Sequence, residues 1–165
     1  MIAVIQFARP VCLVVLMCAG LLRASGQDQQ DEHAVLQKSI DEKNFVFVAQ
    51  TVTPLRGGLR QLTSYYDLKV AKDTLTSNLP YFGRAFVAPY NPTDAGLSFT
   101  STQFEYKVKN GKKEKREVNI NVRAAGDLQR MFLTVFDGGS ASLRVNSNNR
   151  DPVTFNGYVK EAGTK

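Results

Sequence analysis

From Phe45 onward, apolar side chains recur at every second position, the spacing of strands that bury one face. Tyr66, Leu68 and Val70 alternate with Tyr65, Asp67 and Lys69. Phe104, Tyr106 and Val108 face one way, and Val118, Ile120 and Val122 repeat the pattern beyond a basic turn. Phe45-Val46-Phe47-Val48-Ala49 is apolar on both faces, which suits a strand covered on both sides. Met131-Phe132-Leu133-Thr134-Val135-Phe136 is the most hydrophobic of these strands and is expected to lie centrally in the sheet. Ala141, Leu143 and Val145 follow the turn Asp137-Gly138-Gly139-Ser140. Val153, Phe155 and Val159 close the domain, with Gly157 breaking the row. Turn-forming residues at 54–58, 72–73, 91–96, 110–111 and 146–152 separate the strands.

One helix is predicted, over residues 27–44. Asp28 or Asp31 can cap its start, and Leu36 and Ile40 lie one turn apart on a narrow apolar stripe. Successive hairpin signals with no helices between them exclude a parallel α/β sheet. The fold class expected is therefore α+β and mostly antiparallel β. One N-terminal helix packs on a twisted antiparallel sheet of about eight strands. That sheet either curls into a half-barrel over the helix or splits into a β-sandwich.

The N-terminal residues change this picture by removing themselves from it. Arg9 precedes the apolar run 11–22, Arg23 closes the run, and Ala24-Ser25-Gly26 offers the small residues that a signal peptidase requires. The run falls short of the roughly 20 residues of a membrane-spanning helix. Met17 before Cys18, and the apolar residues after it, argue against a lipid anchor. The expectation is a signal peptide over 1–26, a single globular domain over 27–165, and export to the periplasm or beyond the cell without a transmembrane anchor. Both cysteines, Cys12 and Cys18, leave with the leader, so no disulfide supports the mature domain. About 140 residues remain, enough for a self-sufficient core. The formal net charge of +6 falls with the loss of Arg9 and Arg23. This mild positive balance does not indicate nucleic acid.

Little catalytic chemistry remains. Without cysteine there is no thiolate nucleophile or thiolate metal site, and the 1 histidine, His33, reads as a solvated side chain. No metal or cofactor is expected. Asp67, Asp73, Asp94, Glu105, Asp127, Asp137 and Asp151 could in principle supply a carboxylate pair for hydrolysis, but most occupy turn positions. Lys107, Lys109, Lys112, Lys113, Lys115 and Arg116 form a basic hairpin end. It is readable as a weak contact for anionic surfaces or as a solvated tip that discourages edge pairing.

Leu79-Pro80-Tyr81-Phe82-Gly83-Arg84-Ala85-Phe86-Val87-Ala88-Pro89-Tyr90 fits neither period. Pro80 pushes Leu79 into an extended conformation, and Pro89 and Pro92 cannot donate to a ladder, which suggests an edge or a sharp corner with Phe82 and Phe86 in the core. The same stretch offers a polar-tipped aromatic surface of Tyr81, Arg84 and Tyr90, with Arg84 able to hold a carboxylate or phosphate in a fork. This block resembles the LPYFGRAY…APY core of domain-of-unknown-function family 4251. Further similarities run in order along the chain: Phe45-Val46-Phe47 with Ala49, Tyr66-Asp67-Leu68, Phe99-Thr100-Ser101, Phe104-Glu105-Tyr106, Ala141-Ser142-Leu143 and Ser147-Asn148-Asn149-Arg150. The resemblance covers essentially the whole mature chain and implies an exported envelope protein of the Bacteroidota type. Phe86 departs from it, since the family more often has tyrosine there. The family brings no activity with it.

The functional expectation is a non-catalytic binding or interaction domain of the periplasm or cell surface. Its recognition surface is expected at Tyr81, Arg84 and Tyr90, with Asn148, Asn149 and Arg150 as a second contact. The partner would be an envelope component, glycan, peptide or small molecule, and not nucleic acid. A carboxylate-dependent hydrolase and a structural envelope protein without a ligand are the alternatives.

Overall fold

The computed structural model describes residues 24–86, 97–111, 115–124 and 127–163. A helix α1 (Ala24–Asp41) precedes nine strands: β1 (Asn44–Pro54), β2 (Arg60–Ala71), β3 (Thr74–Leu79), β4 (Leu97–Ser101), β5 (Phe104–Asn110), β6 (Arg116–Ala124), β7 (Asp127–Val135), β8 (Ser140–Ser147) and β9 (Val153–Glu161). All belong to one sheet in the order β4-β3-β2-β1-β9-β8-β7-β6-β5. Each strand except at the seam pairs with its chain neighbour, and the first strand pairs with the last.

The seam explains how the sheet wraps. Eight antiparallel pairings separate β4 from β5, so the two run in the same direction. Only Thr102 and Gln103 lie between them, and they are the successive halves of one bent strand. The Ser101 hydroxyl fixes the bend, donating to the Gln103 carbonyl and accepting from its N–H, both at 3.1 Å. A single rung runs from Asn110 through Arg116, Val135, Ala141, Gly157 and Ala49 to Tyr66. The adjacent rung at Asp67 ends on Ser98 in β4. The sheet has returned to its own bent strand, making a nearly closed barrel about eight strands wide. At that width side chains can fill the interior. Phe45, Phe47 and Phe155 do so with Ile120, Met131, Leu133 and Leu143, all fully buried.

Helix α1 closes one mouth. Ile40 is fully buried and Leu36 packs against the core beside it, as the two-residue stripe predicts. The Tyr106 hydroxyl of β5 donates to the Ile40 carbonyl at 2.6 Å, and Arg116 of β6 pairs with Asp41. The other mouth is framed by the β1–β2 loop, residues 80–86 after β3 and the β8–β9 loop.

Several expectations are corrected here. The β-sandwich alternative fails because β1–β9 pairing joins both halves into one sheet. The hydrophobic β7 is an interior strand paired with β6 and β8, as expected, while β9 stands at the midpoint of the order because chain-distant pairing sets it. The helix starts at Ala24, which places Asp28 and Asp31 inside it rather than at its cap. His33 is half-buried, with Nε2 3.3 Å from Asp137 Oδ1, because the helix lies over the short 3₁₀ turn Asp137–Gly139. The doubly apolar strand is as predicted. Val46 and Val48 point outward from the core yet stay buried, flanked across the ladder by Lys69, Lys160, Asp67 and Tyr158. Among the described residues no helix is long and apolar enough to cross a membrane.

Candidate functional site: a strap across the open mouth

The described part of the aperiodic block, through Phe86, turns out of the sheet instead of continuing as an edge strand. Pro80 ends β3 because it has no N–H for the ladder. Beyond it the chain leaves β3 and joins the β8–β9 loop. Ala85 bridges Arg150 in antiparallel fashion. The Phe86 N–H donates to the Asn149 carbonyl at 2.8 Å, and the Asp151 N–H donates to the Arg84 carbonyl at 3.0 Å. In the sheet order β3 and β9 are separated by β2 and β1, so the segment spans the mouth as a strap.

Tyr81 anchors it. Its hydroxyl lies 2.8 Å from the Arg84 carbonyl and 3.1 Å from the Asp151 carbonyl, both acceptors for its one proton. Burial, then the negative charge of Asp151, push the Tyr81 pKa up, which keeps the hydroxyl a donor. Gly83 is required at close quarters: a Cβ there would stand 2.6 Å from the Tyr81 hydroxyl. The Arg150 guanidinium lies 5.1 Å from the Tyr81 ring centroid, and Arg60 lies 5.4 Å from that of Phe82. Phe82 is half-buried against the core, as expected, whereas Phe86 is 66% exposed and not in the core. The bridge to Arg150 turns Phe86 outward at the end of the strap.

The β8–β9 side is equally fixed. The buried carboxylate of Asp127 accepts from the Ser147 hydroxyl and, at 3.2 Å, from the Asn148 N–H. The Ser147 hydroxyl oxygen accepts from the Asn149 N–H at 3.0 Å. Asn148, Asn149 and Arg150 therefore meet Tyr81 and Arg84 on one rigid surface, although some seventy positions separate them in the chain. Of the expected group, Tyr90 lies outside the described residues.

The rim adds residues that the sequence reading did not single out. Arg56 and Arg60 are exposed beside the strap, with Leu55 and Leu59 at 57% and 59% exposure. Their signal was available: two leucines flank Gly57-Gly58 inside a turn, where no core periodicity explains them.

The basic hairpin is elsewhere. Lys107 and Lys109 are exposed on the sheet's edge strand, where charge deters edge pairing. Lys115 and Arg116 lie at the helix-covered mouth. Lys115 sits 4.8 Å from the Phe136 ring centroid, and Arg116 reaches both Asp41 and Asn110. These two serve packing rather than a free anionic contact. Lys112 and Lys113 lie outside the described residues. A shallow depression of about 450 Å³ on the outer face of β5–β7 is lined by Glu105, Asn121, Arg123 and Arg130. It holds a single carboxylate, already accepting from Asn121 at 3.1 Å, where hydrolysis by paired acids needs two. Among the described residues no cluster of three or more metal-ligating side chains occurs.

A family model for a domain of unknown function, DUF4251, matches residues 27–159. The chain belongs to this family. A similar solved structure is the crystal structure of a DUF4251 family protein from Bacteroides eggerthii DSM 20697, at 1.95 Å resolution. It is 19% identical with a TM-score of 0.56, and the match covers 81% of this chain and 91% of that one. At this identity it speaks for the fold alone. No curated protein matches the chain in sequence. Within the family match fall both the strap and the β8–β9 loop, so the mouth they form belongs to the DUF4251 domain itself.

Proposed function

We propose that this chain is an exported, non-catalytic binding domain of the periplasm or cell surface. Its recognition surface is the strap with the Asn148–Arg150 loop, taking a ligand that carries a carboxylate or phosphate. One observation carries the reading. The Arg84 backbone is held by the Tyr81 hydroxyl and the Asp151 N–H, while its exposed guanidinium engages none of the described residues. A backbone already held in place spares the cost of ordering the segment on binding, and the planar guanidinium fork matches anion oxygens in pairs. The leader-like N-terminus and the loss of both cysteines with it support export.

Thermal denaturation with inorganic phosphate and carboxylated glycans tests this. A ligand at about a hundred times its Kd should stabilise the fold by roughly 2.7 kcal/mol. Arg84→Ala should abolish that gain while leaving the unliganded protein within about 0.5 kcal/mol of the parent, since the side chain is exposed and engages none of the described residues. A gain that survives Arg84→Ala, or no gain with any anion, rejects the proposed surface.

A further inference from the structure

The two mouths of the barrel differ in their exposed cations. The described loops of the open mouth hold Arg56, Arg60, Arg84 and Arg150, and no lysine. Their acids, Asp127 and Asp151, are only 7% and 9% exposed. At the helix-covered mouth, lysines such as Lys38, Lys43 and Lys72 are mixed with Asp41, Glu42, Asp73 and Asp137. The described part of the open end thus exposes one sign of charge, and exposes it on guanidinium groups, whose flat fork matches phosphate oxygens in pairs.

The same end also carries exposed apolar side chains at its loop tips. Leu55, Leu59 and Phe86 are 57%, 59% and 66% exposed, three of the four largest exposures among the described large hydrophobics, the other being Tyr65 of β2. They protrude beside the arginines instead of lining a pocket. The lumen behind them is filled by Phe45, Phe47 and Phe155. A soluble anion would use the arginines and leave the tips in water. An anionic bilayer uses both, the tips entering the acyl boundary while guanidinium groups meet lipid phosphates.

Resting on the binding surface proposed above, we infer that its ligand is an anionic phospholipid membrane, onto which the open mouth docks end-on. Leu55, Leu59 and Phe86 insert, and Arg56, Arg60 and Arg84 contact the headgroups. The helix-covered mouth points away from the bilayer.

The chain has 0 tryptophans, so a single introduced one reports its own location. The full chain is prepared as Phe86→Trp and, separately, as Val35→Trp. Val35 is 51% exposed on α1, at the helix-covered end of the barrel and away from the strap. Each is mixed with phosphatidylcholine vesicles with and without phosphatidylglycerol, some bearing brominated acyl chains. F86W emission should shift blue and be quenched on phosphatidylglycerol vesicles, while V35W stays unchanged. Adding Arg56→Ala and Arg84→Ala to F86W should weaken its binding roughly thirtyfold, at about fivefold for each cation. Silence of F86W on phosphatidylglycerol, an equal response to phosphatidylcholine alone, or a response of V35W in its place overturns the inference. If vesicles fail while soluble anions still give an Arg84-dependent thermal gain, the membrane falls and the binding surface stands. If both fail, both fall.

Discussion

Tyr106 illustrates how one side chain ties the helix to the barrel. Its ring centroid is 6.5 Å from that of Phe45, the Lys43 ammonium sits 5.4 Å from its ring centroid, and its hydroxyl donates to Ile40. Burial first, and then Asp41, raise its pKa far above the ordinary 10.0. The folded state therefore keeps the proton that the unfolded chain gives up near pH 10. Stability from this group is complete below that pH and is lost as the pH rises above it. Tyr106→Phe should lower stability by about 1 kcal/mol at neutral pH through the lost hydrogen bond. It should also flatten the decline between pH 9 and pH 11, as read from urea midpoints (~ values set by the ordinary tyrosine pKa). Arg116 makes a complementary point. In the sequence it is one more cation beside a lysine-rich tip, and only its contacts with Asp41 and Asn110 mark it as part of the helix latch.

At the scale of elements, α1 and the strands follow from local periodicity and the strap does not. Leu36 and Ile40 predicted the face that α1 buries, and two-residue alternation predicted β2 and β5–β9. The strap has no period because its conformation comes from the β8–β9 loop, through one tyrosine hydroxyl and two main-chain hydrogen bonds that form one bridge. Its elements should loosen together. Tyr81→Phe is expected to cost about 1 kcal/mol. Hydrogen exchange at the Phe86 and Asp151 amides should accelerate, while amides of β7 and β8 keep their protection. Unchanged exchange at both amides would mean that the strap is held by the Phe82 contact alone. Reading the sequence placed Tyr81 and Arg84 in one candidate surface, and Asn148 to Arg150 in another. Their union was not legible, since no local signal pairs residue 85 with residue 150.

For the whole molecule, closure depends on β9, which joins β1 to β8. The point of closest approach is Gly157, opposite Ala49 beside the register shift in β1. A Cβ at Gly157 would lie 1.9 Å from the Val48 carbonyl oxygen and 2.9 Å from its carbon. Backbone cannot yield as a side-chain tip does, so Gly157→Ala should separate the strands. A loss above about 4 kcal/mol is expected. The check is thermal unfolding followed by circular dichroism; a midpoint near that of the parent would mean that the strands can part locally without opening the barrel. In the sequence Gly157 reads as an interruption of a side-chain row. The nearly closed sheet makes it a site where the first and last strands meet.

Sequence alone determined what depends on neighbours along the chain. The alternation of apolar residues fixed the strands and which face each one buries, the hairpin signals fixed their antiparallel sense, and the specific block at 79–90 pointed to the family. Tertiary structure decided what depends on distant partners: β1 against β9, the bent strand that closes the seam, and the strap laid over the open mouth. The physical reason is the same in each case. A side chain's periodicity records whether it is buried, but not by what. The gathering of Arg56, Arg60, Arg84 and Arg150 with Leu55, Leu59 and Phe86 at one end is a property of the barrel, invisible until the loops that carry them share a rim.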